Sequence, residues 1–379
     1  MTDTRIEKLA DLLVNYSVGV RAGDRVVIQG GTPAEPLLLA VYARVLQVGG
    51  QPLLWPELPE ANEVFYRHAS ETQLQHISPV EKLIRETFEV MIQIDAVPNT
   101  RALSHIDPAR LARRAQARNG LNRTLMQRTA RGELRWVYTL FPTHGYAQDA
   151  DMSLREFEDF FYHACMPEPE DPIGYWQQMA AAQDEIIAWL KGKKSVRVKA
   201  PETDLRLSIA GRPFINCAGT FNLPDGEVFT APVEDSVTGH VCFSYPAIYH
   251  DQEVSGVRLW FEAGRVVRAT AERNEALLLA ILDTDAGARR VGEFAIATNP
   301  GITRFTRQIL FDEKIGGTFH LALGASYPES GGVNESAIHW DMICDLRHGG
   351  EIWVDDELIY RNGKFLLRGK SLAFINRNR

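Results

Sequence analysis

The segment Ser336-Ala337-Ile338-His339-Trp340-Asp341-Met342-Ile343-Cys344 carries an imidazole and a carboxylate two positions apart. Side chains alternate along a strand, so His339 and Asp341 project from one face while Ile338, Trp340, Met342 and Cys344 point to the other. Such a pair converges on one point, as metal ligation requires and as a hydrogen-bonded surface pair also allows. Gly316-Gly317-Thr318-Phe319-His320-Leu321-Ala322-Leu323-Gly324 repeats the pattern. Phe319, Leu321 and Leu323 form an apolar face, and His320 lies on the other among Thr318, Ala322 and Gly324, whose small side chains leave room for a ligand. A core histidine bonded to backbone is the ordinary alternative. Tyr327, in a Ser-Tyr-Pro turn seven residues on, can return its hydroxyl to the same place or simply be half buried.

Two carboxylates occupy positions that packing does not explain. Glu293 interrupts the apolar run Val291-Gly292-Glu293-Phe294-Ala295-Ile296-Ala297, and a buried charge is costly unless it is paired or bound to metal. Glu227 follows the turn Asn222-Leu223-Pro224-Asp225-Gly226 and begins an extended stretch, where it could be an unremarkable first residue of a strand. Together Glu227, Glu293, His320, His339 and Asp341 supply three carboxylates and two imidazoles, a donor set suited to two adjacent Zn²⁺, Co²⁺ or Mn²⁺ ions. Glu313 is either a further contributor or a surface charge paired with Lys314.

The elements that must position these residues fall into two halves. Asp24 to Gln29, Glu35 to Leu46 and Gln51 to Trp55 read as a strand, a helix and a strand, which implies a parallel sheet. Phe88 to Ile94 and Leu134 to Leu140 add strands around an Arg-rich helix from Pro108 to Ala130, and helices follow at Ser153 to Cys165 and Tyr175 to Leu190. From Val196 onward, β-branched alternating runs joined by Gly, Asn and Pro turns dominate, interrupted by one helix from Asn274 to Asp283. The expected organisation is an α/β N-terminal domain with a parallel sheet over 1–192, followed by a β-rich α+β catalytic domain over 193–379. Gly30-Gly31-Thr32 stands where a phosphate loop would, but it lacks the G-x-G-x-x-G spacing and any following G-K-[ST], so a tight turn is the better reading. The arginines of the 109–118 stretch are expected to form a solvated helix face.

Composition narrows the class. The chain has 379 residues, 45% hydrophobic and 24% charged, a globular profile, and 41 basic against 49 acidic residues give a net charge of −8. That balance argues against nucleic acid or an anionic membrane as partner. No apolar stretch approaches the roughly 18 residues that read as a spanning helix. The charged, amphipathic start of the chain is unlike a signal peptide and suggests a cytoplasmic protein. Cys165, Cys217, Cys242 and Cys344 are widely spaced and are expected to be small buried hydrophobes.

Four long motifs carry a resemblance: N-L-P-D-G-E-V-F-T-A-P from Asn222, L-D-T-D-A-G-A-R-R-V-G-E from Leu282, F-D-E-K-I-G-G-T-F-H-L-A-L-G from Phe311, and N-E-S-A-I-H-W-D from Asn334. In these the chain resembles the aminopeptidase T family, which includes aminopeptidase S and the streptococcal PepS enzymes, all metal-dependent exopeptidases. The similarity covers the C-terminal half; the N-terminal half agrees in size and α/β pattern. The resemblance implies metal ligands at Glu227, Glu293, His320, His339 and Asp341, an active-site tyrosine at Tyr327, and a homodimer enclosing an internal cavity.

The expected activity is release of N-terminal amino acids from peptides with a free N-terminus, using two divalent ions (Zn, Co, Mn or Mg). Glu293 is expected to bridge them, Tyr327 to donate to the oxyanion, and Glu227 to relay a proton to the leaving amine. The alternative is a mononuclear non-haem iron ring-cleaving dioxygenase of related fold, using His320, His339 and Asp341 alone. Glu227 and Glu293 discriminate, because a single-iron site has no evident task for them.

Overall fold

A computed structural model describes residues 3–249 and 252–376 of the chain. Contacts divide it into two units, residues 1–173 with 219–224, and residues 174–218 with 225–379. The boundary expected at 192/193 differs from this division in two ways. The helix Pro172–Leu190 goes almost wholly with the second unit, and a short strand from the second half returns to the first.

In the first unit the apolar runs become strands Arg25–Gly31, Gln51–Glu57, Val90–Asp95 and Arg135–Leu140. They pair in parallel with Arg25–Gly31 between Gln51–Glu57 and Val90–Asp95, and Asn222–Leu223 completes a five-stranded sheet beyond Arg135–Leu140. Parallel strands need crossovers, and helix Glu35–Gln47 makes the first. The glycines ending the first strand serve close packing. A Cβ on Gly30 would sit 2.5 Å from the Ile94 carbonyl oxygen, and one on Gly31 2.6 Å from that of Ala96.

The long helix Pro108–Ala130 has the expected bounds, but its arginines are not only a solvated face. Arg110 Nε donates to the Tyr66 carbonyl at 2.8 Å, Arg114 to that of His76 at 2.6 Å, and Arg128 to those of Arg85 and Phe88 at 3.0 and 2.8 Å. They satisfy carbonyls left over at the C-terminal ends of the short helices Glu60–His68, Glu71–Gln75 and Pro79–Thr87, which the sequence did not announce.

The second unit is built on two antiparallel sheets and a two-stranded ribbon. The larger has eight strands, with Ser195–Ala200 and Thr203–Ser208 adjacent at its middle. The smaller runs in the order His339–Asp345, Thr318–Gly324, Val291–Ala297, Glu227–Thr230, Ile215–Cys217, and it positions the site. Every residue of the strands Val291–Ala297 and Thr318–Gly324 is buried. Among the described residues, no helix is long and apolar enough to cross a membrane.

Candidate metal centre

The register of the smaller sheet gathers the candidate side chains. Glu293 is paired across to Ala322 and Ala322 to Asp341, His320 to Ala295, His339 to Gly324, and Glu227 to Ala297. Directly paired residues share a face, and alternation carries that face along each strand. Glu227, Glu293, His320, His339 and Asp341 therefore lie on one face, spread over four strands. Between them stand Ala295, Ala297, Ala322 and Gly324, which leave the volume above the sheet to the functional groups. The opposite face carries Val228, Phe294, Ile296, Phe319, Leu321, Leu323, Trp340 and Met342, all buried.

A bulge between Val291 and Glu293 delivers Glu293 to this face. Gly292 permits the bulge, since a Cβ there would meet the Ala325 carbonyl oxygen at 2.2 Å. That carbonyl accepts a hydrogen bond from His339 Nδ1 at 2.8 Å, which fixes the tautomer and turns Nε2 toward the carboxylates.

His320 Nε2 lies 3.3 Å from Glu293 Oε1, 3.4 Å from Glu227 Oε2 and 4.0 Å from Asp341 Oδ1. His339 Nε2 lies 3.5 Å from Glu293 Oε2 and 3.7 Å from Asp341 Oδ1. The two oxygens of Glu293 thus face different imidazoles. Two groups of donor atoms, Glu227 with Glu293 and His320, and Glu293 with His339 and Asp341, each fall within 4.8 Å and share Glu293.

The donor set fits divalent ions. Buried Glu227 Oε2 and Asp341 Oδ1 have no hydrogen-bond partner, although each is aimed at an imidazole. Their separations exceed good hydrogen bonds. They suit atoms sharing an ion instead, because ligands about 2.1 Å from a tetrahedral centre stand roughly 3.4 Å from one another. Burial raises the Glu227 carboxyl, reinforced by Glu313 and Glu293 and opposed by Lys314 and His320. Burial alone would lower His320, but its contact with Glu293 and the charges of Glu227 and Asp341 carry it up to about 10. Protons are drawn to the cluster as metal ions would be.

Tyr327 packs its ring edge-on against His339, with centroids 5.0 Å apart, and against Phe229 at 5.7 Å. Burial first, then the charges of Glu293 and Asp341, raise its hydroxyl well above the usual range. Glu313 joins His320 and Asp341 in a further group within 4.8 Å, and its pairing with Lys314 is real but not a surface feature, because Lys314 is fully buried. Cys165, Cys217 and Cys344 are buried as expected and Cys242 is partly exposed, but Cys217 also falls within 4.8 Å of Asp225 and Glu227. Sequence reasoning missed Lys314, for which the flanking apolar residues Leu310, Phe311 and Ile315 were the available signal.

The profile of the thermophilic metalloprotease family M29 matches residues 2–365. The chain belongs to that family. Among M29-like relatives, Aminopeptidase 2 of Geobacillus stearothermophilus is 28% identical over 96% of this chain and 98% of its own length. Aminopeptidase T of Thermus thermophilus is 30% identical over 69% of this chain and 71% of its own. A solved structure of wild-type AmpT from Thermus thermophilus has the same fold, with a TM-score of 0.83 at 24% identity, covering 96% of this chain and 99% of that one. M29 membership places the protein among the metalloaminopeptidases, which are hydrolases, and the dioxygenase alternative finds no support.

Proposed function

We propose that this M29 protein removes single amino acids from the free N-termini of peptides by means of two divalent ions held on the smaller sheet. The observation that carries the proposal is the division of Glu293, whose oxygens stand 3.3 Å from His320 Nε2 and 3.5 Å from His339 Nε2. A carboxylate so placed would hold two ions at once if both were bound. In this proposal Glu227 and His320 complete one ion's ligands, His339 and Asp341 complete the other's, and Zn²⁺, Co²⁺, Mn²⁺ or Mg²⁺ are the candidates. Bound ions would polarise the peptide carbonyl and supply a water acidic enough to act as hydroxide near neutral pH.

The residues of the chain do the rest. Tyr327 carries its proton at neutral pH as any phenol does, burial raises its hydroxyl further, and it can donate to the oxygen that becomes negative as the carbonyl is attacked. A peptide's free α-amino group would bind near one ion or one of these carboxylates, which would favour a free N-terminus over a blocked one. Glu227 was expected to carry a proton to the leaving amine as well. Its Oε2 is aimed at His320 within the donor group that includes Glu293, which suits it to ligation. We place the relay on Glu313, which is half buried and grouped with His320 and Asp341. The homodimer implied by the resemblance belongs to the same proposal.

Hydrolysis of leucine p-nitroanilide by wild type, Glu313→Gln and Glu227→Gln, with bound metal counted in each, tests these roles. Glu313→Gln should keep its metal and lose turnover, and Glu227→Gln should lose metal. The reverse pattern returns the relay to Glu227.

A further inference from the structure

Lys314 is fully buried, which is unusual for a lysine and requires local anionic partners. It follows helix Ile309–Asp312, where buried Leu310, Phe311 and Ile315 hold the segment against the interior. Its ammonium touches Glu313 Oε1 and stands 3.7 Å from Glu227 Oε1. The other oxygen of Glu227, Oε2, lies 3.4 Å from His320 Nε2 and has no hydrogen-bond partner. One carboxylate is therefore split between the buried amine of Lys314 and the face where the imidazoles converge.

We infer that Lys314 is a positioning residue that holds Oε1 of Glu227, so that Glu227 offers a bound ion only Oε2, and that restrains Glu313 in the same way. The inference rests on the dinuclear proposal above. A buried carboxylate with both oxygens free can close on an ion with either or both, and ion geometry then varies with ligand conformation. Lys314 limits that freedom for Glu227 through its ion pair with Oε1 at 3.7 Å. With one oxygen of Glu227 so held, a bound ion would keep positions open for water and substrate.

The test uses the full-length wild type, Lys314→Met and Lys314→Arg, stripped of metal and reloaded with Co²⁺. Metal content, visible Co²⁺ absorption, kcat and KM are measured for each. Lys314→Met should bind as many ions as wild type but show weaker visible absorption, because a freed carboxylate oxygen raises the coordination number. Its kcat should fall by about 10- to 100-fold, the usual effect of removing a group that orients a ligand, with KM little changed. Lys314→Arg should recover much of the spectrum and of kcat. A folded Lys314→Met with wild-type absorption and kcat would show that Lys314 only fills space and would overturn the inference. If Lys314→Met does not fold, a crystal structure of the Co²⁺ wild type decides: both Glu227 oxygens on one ion contradicts the inference, and Oε2 alone supports it. Failure of the wild type to bind two ions would sink the dinuclear proposal itself, a different result from either.

Discussion

Glu293 is the residue on which the site turns, because no other carboxylate there places its two oxygens against two imidazoles. Glu293→Gln keeps the size of the side chain but replaces one oxygen by a donor that no cation can use. Removing a group behind a metal ligand commonly costs about 10- to 100-fold, so loss of a shared ligand should lower kcat/KM by more than about 100-fold. Circular dichroism should report an unchanged fold, and full activity would remove Glu293 from the mechanism. Tyr327→Phe deletes only a donor. It should reduce kcat by about 10²- to 10³-fold with KM nearly constant in steady-state kinetics. A rise in KM alone would make Tyr327 a substrate contact instead.

At the scale of elements, the strand His339–Asp345 depends on the loop before it, and Asp285 holds that loop. Its carboxylate accepts from Ser336 Oγ at 2.8 Å, from the Ala337 amide at 2.6 Å and from the Gly287 and Ala288 amides at 2.9 Å each. Burial works against the charge of Asp285, but these donors outweigh it and hold the carboxyl below its ordinary value. A carboxyl lowered on folding contributes stability above its unfolded pKa of about 3.9 and loses it as pH falls through the lower folded value. Asp285→Asn should therefore melt earlier than wild type at pH 7, by an amount that solvent screening of this partly exposed group keeps to about 1 kcal/mol or less, with the gap closing in strong acid. An equal gap at all pH values would contradict the assignment. Much of this scale was legible in the sequence. Strict alternation around His320, His339 and Asp341 gave their common face, and the strand Thr318–Gly324 has the bounds its pattern suggested. Glu227–Thr230 was harder, since four residues buried on both faces show no alternation. Lys314 was illegible because a lysine beside a glutamate reads as a surface pair, and only its buried apolar neighbours say otherwise. Helix Pro172–Leu190 resembles its predecessors in sequence, so its membership of the second unit emerges only from contacts.

For the whole molecule, carboxylates gathered on a buried face disfavour the metal-free state, and ions that bind only the folded chain stabilise it. At 100 times its dissociation constant, one ion adds about 2.7 kcal/mol. Stripped protein should melt several degrees below the Zn²⁺ or Co²⁺ form in scanning calorimetry, and an unchanged Tm would argue that the cluster holds no metal. Sedimentation equilibrium should give twice the 42.5 kDa chain mass for the proposed homodimer, and a monomer would remove the enclosed-cavity expectation. The central claim is two ions serving one exopeptidase site. The measurement that tests it most directly is hydrolysis of leucine p-nitroanilide by metal-stripped protein during titration with Co²⁺ or Zn²⁺, with the N-acetylated substrate alongside. Activity should rise to a plateau near two equivalents of metal per chain while the acetylated substrate stays intact. A plateau at one equivalent, or equal cleavage of the blocked substrate, would contradict it.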